Sequence, residues 1–261
     1  MKIGIIGAGN MSTAITKGLI GAGTAPSDIF VSDISAEKLS AVAALGVQTG
    51  ANEDAARSGD AVILAIKPNI YEKALPSLSN ILSGKLVISI AAGNTIAFVS
   101  SLLPGARVVR LMPNTPALVS AGMTAISYAA PATEEDALLV EKIFSALGKC
   151  VHVPESLMDA VVAVSGSGPA YAYMLIDAMA NGGVLMGLSK KDALLLAAQT
   201  VYGAAKTVLE TGEHPMVLCD NVCSPGGTTI EAVNALEKSG FRASVMAAEK
   251  KCAEKSALLK K

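Results

Sequence analysis

The chain has 261 residues, roughly 1.7 times a 150-residue domain, so two modest domains are expected rather than one large one. Hydrophobic residues make up 51% and charged residues only 16%, which excludes a disordered or highly solvated chain; with 3% aromatics and no Trp, the buried volume falls to Ala, Val, Leu, Ile and Met. Basic and acidic residues nearly balance, 21 against 22, so no global field draws nucleic acid or an anionic membrane, and neither is expected as a partner.

The first half alternates β-rich runs with helical patterns, the signature of βαβ units and a parallel sheet. Residues 2–6 predict a first strand, and Met11, Ala14, Ile15, Gly18 and Leu19 fall on one face of a following helix. Further strands are predicted at 29–32, 61–66, 86–90 and 108–112, with helices at 36–45 and 95–103. Thr133 with Asp136 reads as a helix-capping pair, and Leu139, Ile143 and Leu147 follow at helical spacing before Gly148. After Pro154 strand patterns vanish, and Ala/Leu-rich helices are predicted at 170–185, 190–210, 228–239 and 242–259. The expected division is therefore residues 1–154, an α/β domain, and residues 155–261, an all-helical domain.

The cluster Lys250, Lys251, Lys255, Lys260 and Lys261, broken by Glu249 and Glu254, reads as the solvated face of the last helix. Four sparse cysteines suit reduced thiols in the cytoplasm, and His214, Cys219 and Cys223 lack the spacing and fourth ligand of a metal site, so no metal is expected. Glycines and Asn10 interrupt what would otherwise resemble a signal peptide, and Ser165–Pro169 interrupts the uncharged stretch 160–176, so no membrane segment is expected.

Gly7-Ala8-Gly9-Asn10-Met11-Ser12 lies between the first strand and first helix, where a Rossmann-like domain seats a dinucleotide pyrophosphate on the helix N-terminus. Gly7 permits the tight turn and Gly9 lets the backbone approach phosphate; Ser12 replaces the usual third glycine with another small residue. Asp33, at the end of strand two, stands where an acid bonds the ribose 2′-hydroxyl, which favours NADH, or else it is an ordinary strand-end cap. Three later loops, Ala65-Ile66-Lys67-Pro68, Ala91-Ala92-Gly93 and Met112-Pro113-Asn114, follow predicted strands and could together line the cofactor cleft, or serve singly as turns.

In the helical half, Ser165-Gly166-Ser167-Gly168-Pro169 precedes a helix. Ser224-Pro225-Gly226-Gly227-Thr228-Thr229 leads into another, and its glycines expose amides that form a nest sized for a carboxylate; helix capping by Thr228 or Thr229 is the alternative. His152 and His214 read as structural rather than catalytic. A cyclic iminium already carries its proton, so its reduction needs no such acid–base group.

That last loop, preceded by Asp220-Asn221-Val222 and followed by Glu231-Ala232, resembles the signature of the pyrroline-5-carboxylate reductases, which catalyse the last step of proline synthesis. Residues 4–11, 62–68, 89–93, 110–116 and 164–173 match as well, so the resemblance runs through the chain in order. It implies reduction of 1-pyrroline-5-carboxylate by NADPH or NADH, and a helical dimerisation domain that interlocks with a second subunit in a homodimer, some members assembling into decamers. It implies that Ser224, Gly226, Gly227 and Thr228 hold the substrate carboxylate and that Thr229 offers its hydroxyl to the ring nitrogen as the catalytic group. By the same resemblance residues 165–168, Ser167 among them, with Met112, Pro113 and Asn114, frame nicotinamide and substrate, and Asn52 contacts the adenosine end. Two other readings are a β-hydroxyacid dehydrogenase, which would want a helix-borne Lys where this chain has Tyr171 and Tyr173, and a non-catalytic NAD(P) sensor, which would not need the carboxylate nest.

Overall fold

A computed structural model describes residues 1–261. The chain forms two compact units: Met1–Ser167 together with Cys252–Lys261, and Gly168–Lys251. The change of patterning at Pro154 thus marks where the sheet ends, not where the unit ends.

The first unit is built on eight strands, β1 (Ile3–Ile6), β2 (Ile29–Ser32), β3 (Gln48–Gly50), β4 (Ala61–Leu64), β5 (Leu86–Ser89), β6 (Arg107–Met112), β7 (Gly122–Tyr128) and β8 (Gly148–His152). Their order is β3-β2-β1-β4-β5-β6-β7-β8, so the chain reverses its direction of travel across the sheet between β1 and β4. Strands β1 to β6 are mutually parallel; β7 runs antiparallel to β6 and parallel to β8. Every residue of β1, β4 and β5 is buried, because helices cover both faces of a parallel sheet.

Seven helices accompany these strands: α1 (Asn10–Gly21), α2 (Ala36–Ala43), α3 (Asn52–Ser58), the single turns α4 (Tyr71–Ala74) and α5 (Ser79–Leu82), α6 (Ile96–Leu102) and α7 (Glu134–Phe144). One core layer joins Ile3, Ile5, Ile63 and Ile88 to Ile15 and Leu19 of α1 and Val140 and Phe144 of α7. The opposite layer joins Ile6, Val62, Leu64 and Val87 to Tyr71, Leu75, Leu78 and Leu82. Tyr71 donates from its buried hydroxyl to the Leu64 carbonyl (3.0 Å), and burial pushes its phenol well above the usual range. The expected Thr133–Asp136 capping box is present at the start of α7. Strands β3 and β7, helix α3 and the turns α4 and α5 are additions to the sequence expectation, and β7 runs antiparallel in a sheet expected to be parallel throughout.

After β8 the turn α8 (Met158–Val161) runs into a π-helical stretch, Val162–Gly166, closed by the Ser167 amide on the Val162 carbonyl (2.8 Å). The second unit holds α9 (Gly168–Leu185), α10 (Lys190–Thr211), α11 (Pro215–Val222), α12 (Thr228–Lys238) and the first part of α13 (Phe241–Leu258). Its four long helices lie within two residues of their predicted bounds; α11 was not expected. The second core expected from length is almost absent: its buried hydrophobic cluster is Ala180, Ala193 and Ala197, while Tyr173, Met174, Leu185 and Leu195 stand exposed on α9 and α10.

The last turn of α13 returns to the first unit. Ser256 donates to Asp159 (2.8 Å) and Lys260 pairs with the other carboxylate oxygen (2.5 Å), while Lys261 pairs with Glu72 (3.0 Å). Lys260 and Lys261 are therefore not part of a freely solvated face, which corrects the sequence reading of that cluster. Burial alone would raise the Asp159 pKa, but the hydrogen bonds from Lys260 and Ser256 and the charge of Arg110 outweigh it and hold it below the ordinary carboxylate range.

A carboxylate depressed on folding contributes stability in full above its unfolded pKa, about 3.9, and that contribution is lost as pH falls through the lower folded value. Thermal unfolding followed from pH 7 to pH 2 is expected to show the parent losing its advantage over Asp159→Asn below about pH 4. A constant difference across that range would contradict it.

Candidate active site

The carboxyl ends of β1, β2, β4, β5 and β6 share one edge of the sheet, and at the switch point between β1 and β4 stands the glycine-rich turn. Gly7 has φ +108°, its amide donates to the Ser32 carbonyl (2.7 Å), and a Cβ there would lie 2.6 Å from the Ala65 carbonyl oxygen. Only glycine fits where β1 hands over to α1 so close to the end of β4. Gly9 is the residue before α1, and a Cβ on it would meet nothing within 4 Å.

Helix α1 has no side-chain cap and no acidic residue in its first turn. By contrast Ser35 caps α2, Thr95 caps α6 and Thr133 caps α7, the first and last backed by acids. The leading amides of α1, Asn10 and Met11 among them, are thus left for an anion, and the space beside Gly9 admits one. These residues fit a dinucleotide pyrophosphate. The buried Ser12 hydroxyl, with Thr16 one turn on, finds no hydrogen-bond partner.

Asp33 is turned onto the backbone. One carboxylate oxygen accepts from the Ala8 amide (2.8 Å) and the other from the Ser35 amide (2.9 Å), which is the strand-end cap the sequence left open. Beside it the buried Ser32 hydroxyl donates to Asn52 (2.8 Å), so the first side chain of α3 is held at the end of β2. The residue after Asp33, Ile34, is fully exposed, an apolar side chain that the sequence pattern did not single out.

Along the same edge the Ala65 amide donates to the Ile6 carbonyl (2.8 Å), Lys67 is exposed, and the Pro68 carbonyl accepts from Asn94 (3.2 Å). Asn94, nearly fully buried, ties the loop after β4 to the loop after β5; it too was missed, although a polar residue directly behind Ala91-Ala92-Gly93 was the available signal. In that loop Ala91 and Gly93 are buried and Ala92 is exposed.

At the end of β6 Pro113 is buried, and Asn114 accepts from the Met123 amide (2.9 Å) while donating to the Ser165 carbonyl (3.0 Å). The π-helical register displaces carbonyls from their usual i+4 partners, so a side-chain donor at Ser165 is well used. A Cβ on Gly166 would lie 2.7 Å from the Met112 methyl, and Ser167 stands 3.2 Å from the Cys252 thiol. The structure thus sets Met112 against Gly166 and Asn114 against Ser165.

In the second unit Gly227 is the residue before α12, with no side-chain cap. Thr228 and Thr229 are already helical, so neither caps the helix, and the alternative reading of that loop is corrected. Gly226 has φ +65°, the Gly227 amide bonds back to the Ser224 carbonyl (3.0 Å), and a Cβ on Gly227 would strike the Ser224 hydroxyl at 2.2 Å. The leading amides of α12 are open, Thr229 is half-buried in its first turn, and the loop before it is exposed.

The remaining candidates resolve as structure. His214 caps α11 through its Nδ1 (3.2 Å), and His152 pairs with Glu141 (2.8 Å). No group of His, Cys, Asp and Glu could hold a metal ion, and no helix is long and apolar enough to cross a membrane.

Comparison with known proteins matches residues 155–259 to the family model described as pyrroline-5-carboxylate reductase dimerisation, and residues 2–93 to that described as NADP oxidoreductase, coenzyme F420-dependent. The chain is 48% identical to a pyrroline-5-carboxylate reductase of Escherichia coli (strain K12), covering 100% of this chain and 98% of that one. It is 49% identical to one of Methanosarcina acetivorans, covering 98% and 96%. Among solved structures, a pyrroline-5-carboxylate reductase from Coxiella burnetii superposes with a TM-score of 0.94 at 36% identity, and pyrroline carboxylate reductase of Plasmodium falciparum with NADP bound superposes at 0.90 and 31%; each covers 100% of this chain and 98% of the other.

Because nothing in the fold lies near a Cβ on Gly9, Gly9→Val is expected to unfold at the parent's temperature yet weaken NADPH binding by about tenfold or more, about 1.4 kcal/mol. Paired thermal-melt and fluorescence titrations check this, and unchanged binding would contradict the placement of the phosphates.

Proposed function

The chain belongs to the pyrroline-5-carboxylate reductase family, and from that membership we propose that it reduces 1-pyrroline-5-carboxylate to L-proline with NADPH or NADH. The observation that carries this reading is the open N-terminus of α12, where the helix has no side-chain cap and the Gly227 amide bends the chain back onto the Ser224 carbonyl, leaving the Gly226 and Thr228 amides for a carboxylate.

The bound nicotinamide supplies the hydride. The chain's own part is to bind, orient and stabilise. The amides of Gly226 and Thr228 hold the substrate carboxylate, with Gly227 forming the bend between them and the Ser224 hydroxyl next to Gly227. Thr229 hydrogen-bonds the ring nitrogen as it passes from iminium to amine. The substrate arrives with its proton, so the absence of a Lys or His acid–base group is consistent with the chemistry. Gly7, Gly9, Asn10 and Met11 receive the pyrophosphate; Ala65, Lys67, Pro68, Ala91, Ala92, Gly93, Met112, Pro113, Asn114 and Ser167 line the nicotinamide half. Asn52 and Ile34 border the adenosine. Asp33 turns both carboxylate oxygens onto backbone amides, and the coenzyme is NADPH or NADH.

The helical unit, with its few buried alanines and its exposed Tyr173, Met174 and Leu195, is completed by a second copy in a homodimer; a decamer is the higher assembly that the resemblance allows. Four free thiols suit the cytoplasm. A β-hydroxyacid dehydrogenase is disfavoured because α9 carries no Lys, and a sensor would leave the α12 nest without purpose.

The test is steady-state oxidation of NADPH and of NADH with 1-pyrroline-5-carboxylate against 3-hydroxy acids. Turnover is expected only with the cyclic imine. Thr229→Ala is expected to lose about 1–3 kcal/mol of transition-state stabilisation, a fall of about 5- to 150-fold in kcat with NADPH affinity unchanged. Undiminished kcat would remove Thr229 from the mechanism.

A further inference from the structure

We propose that Ser256, Lys260 and Lys261 are positioning residues for the dinucleotide cleft: the end of α13 straps the loop between β5 and α6 into the shape that receives the nicotinamide half. This rests on the proposed placement of that half against Ala91, Ala92 and Gly93.

The strap grips the loop through its backbone. The Lys261 amide donates to the Gly93 carbonyl (3.0 Å), and the Lys261 carbonyl accepts from both the Thr95 amide (3.3 Å) and the Thr95 hydroxyl (2.8 Å), so a backbone clasp spans Asn94. Leu259 lies so close that a Cβ on Gly93 would stand 2.7 Å from its carbonyl oxygen. The Lys261 ammonium sits 5.6 Å over the Phe98 ring while pairing with Glu72, which adds side-chain contacts on α6 and α4.

The strap is itself anchored. Ser256 and Lys260 take one oxygen each of Asp159, and four residues earlier Glu155 accepts from the first amide of α6, that of Ile96 (2.7 Å), and from the buried Arg110 guanidinium (2.9 Å). A single segment, 155–159, therefore fixes the start of α6, the middle of β6 and the end of α13. Further back, Cys252 touches Ser167. Both the loop after β5 and the residue closing the π-helical stretch are braced by one helix end, and Ala92 is left as the loop's exposed face.

A loop released from such a clasp regains backbone freedom, and a ligand that needs the ordered form binds more weakly in proportion to the fraction of time that form is populated. If the unstrapped loop holds its shape about one-tenth of the time, apparent Kd rises about tenfold. Groups at the far end of the cleft are untouched, so the effect falls on cofactor affinity rather than on the rate once cofactor is bound.

The experiment compares the parent with Ser256→Ala/Lys260→Ala, with the conservative Ser256→Thr, and with the single Lys260→Met, which alters one exposed side chain should the double variant fold poorly. NADPH Kd is measured by fluorescence, kcat and KM by turnover, and loop order by hydrogen exchange of residues 91–97. The expected result is faster exchange in the loop and about tenfold higher Kd and KM for NADPH in the double variant, a smaller rise in Lys260→Met, kcat at saturating NADPH within about twofold, and parent values in Ser256→Thr. Parent-like NADPH Kd in the double variant, with NADPH still protecting residues 91–97 in the parent, would overturn the strap. No protection of 91–97 by NADPH in the parent would instead overturn the placement of the cofactor against this loop.

Discussion

Two helix N-termini that the protein declines to cap organise this molecule. At α2, α6, α7 and α10 a side chain meets the orphan amides of the first turn, with Ser35, Thr95, Thr133 and Ser189 each accepting from the third helical residue. At α1 and α12 the preceding residue is glycine and no side chain accepts. Each leaves a positive helix end and free N–H groups facing open space, and each belongs to a different unit. In the proposed reading the α1 end receives the pyrophosphate of the coenzyme and the α12 end the carboxylate of the substrate.

The rest of the first unit makes the α1 end usable. Its parallel strands deliver five loops to one edge, and the side chains that might have closed that edge are tied down instead: Asp33 on the backbone of its neighbours, Asn52 by Ser32, Asn94 across to Pro68, Asn114 between β7 and the π-helical stretch. That edge is therefore largely backbone and small side chains, with Asp33, Asn52, Asn94 and Asn114 engaged by the protein itself and Lys67 exposed beside them. That suits a reaction whose substrate brings its own proton and whose reductant brings its own electrons.

Much of this was legible in the sequence where local pattern carries the information. The uninterrupted apolar runs of β1, β4 and β5 and the glycine turn between β1 and α1 specify their own structure, and the Ala/Leu-rich helices of the second unit are long enough for periodicity to show. Strand β3 is a three-residue edge of Gln, Thr and Gly, and α3 is seven residues rich in Asn, Asp and Glu; both owe their form to neighbours rather than to pattern. The antiparallel β7, Gly-Met-Thr-Ala-Ile-Ser-Tyr, mixes small and polar residues because Thr124 and Ser127 are buried with partners or packing that only the fold supplies. Lys260 looked solvated because its partner Asp159 is a hundred residues away, and Asp33 looked free because nothing local announces the Ala8 amide.

The proposed chemistry depends on the Gly226 and Thr228 amides gripping a carboxylate. The most direct measurement compares kcat/KM for 1-pyrroline-5-carboxylate with that for 1-pyrroline, the same ring without the carboxylate, in the parent and in Gly227→Ala. Two hydrogen bonds to a charged group, about 1.5–3 kcal/mol each, predict a preference of about a hundredfold or more in the parent that collapses in the variant. A variant that still rejects 1-pyrroline as strongly as the parent does would show that the carboxylate is held elsewhere.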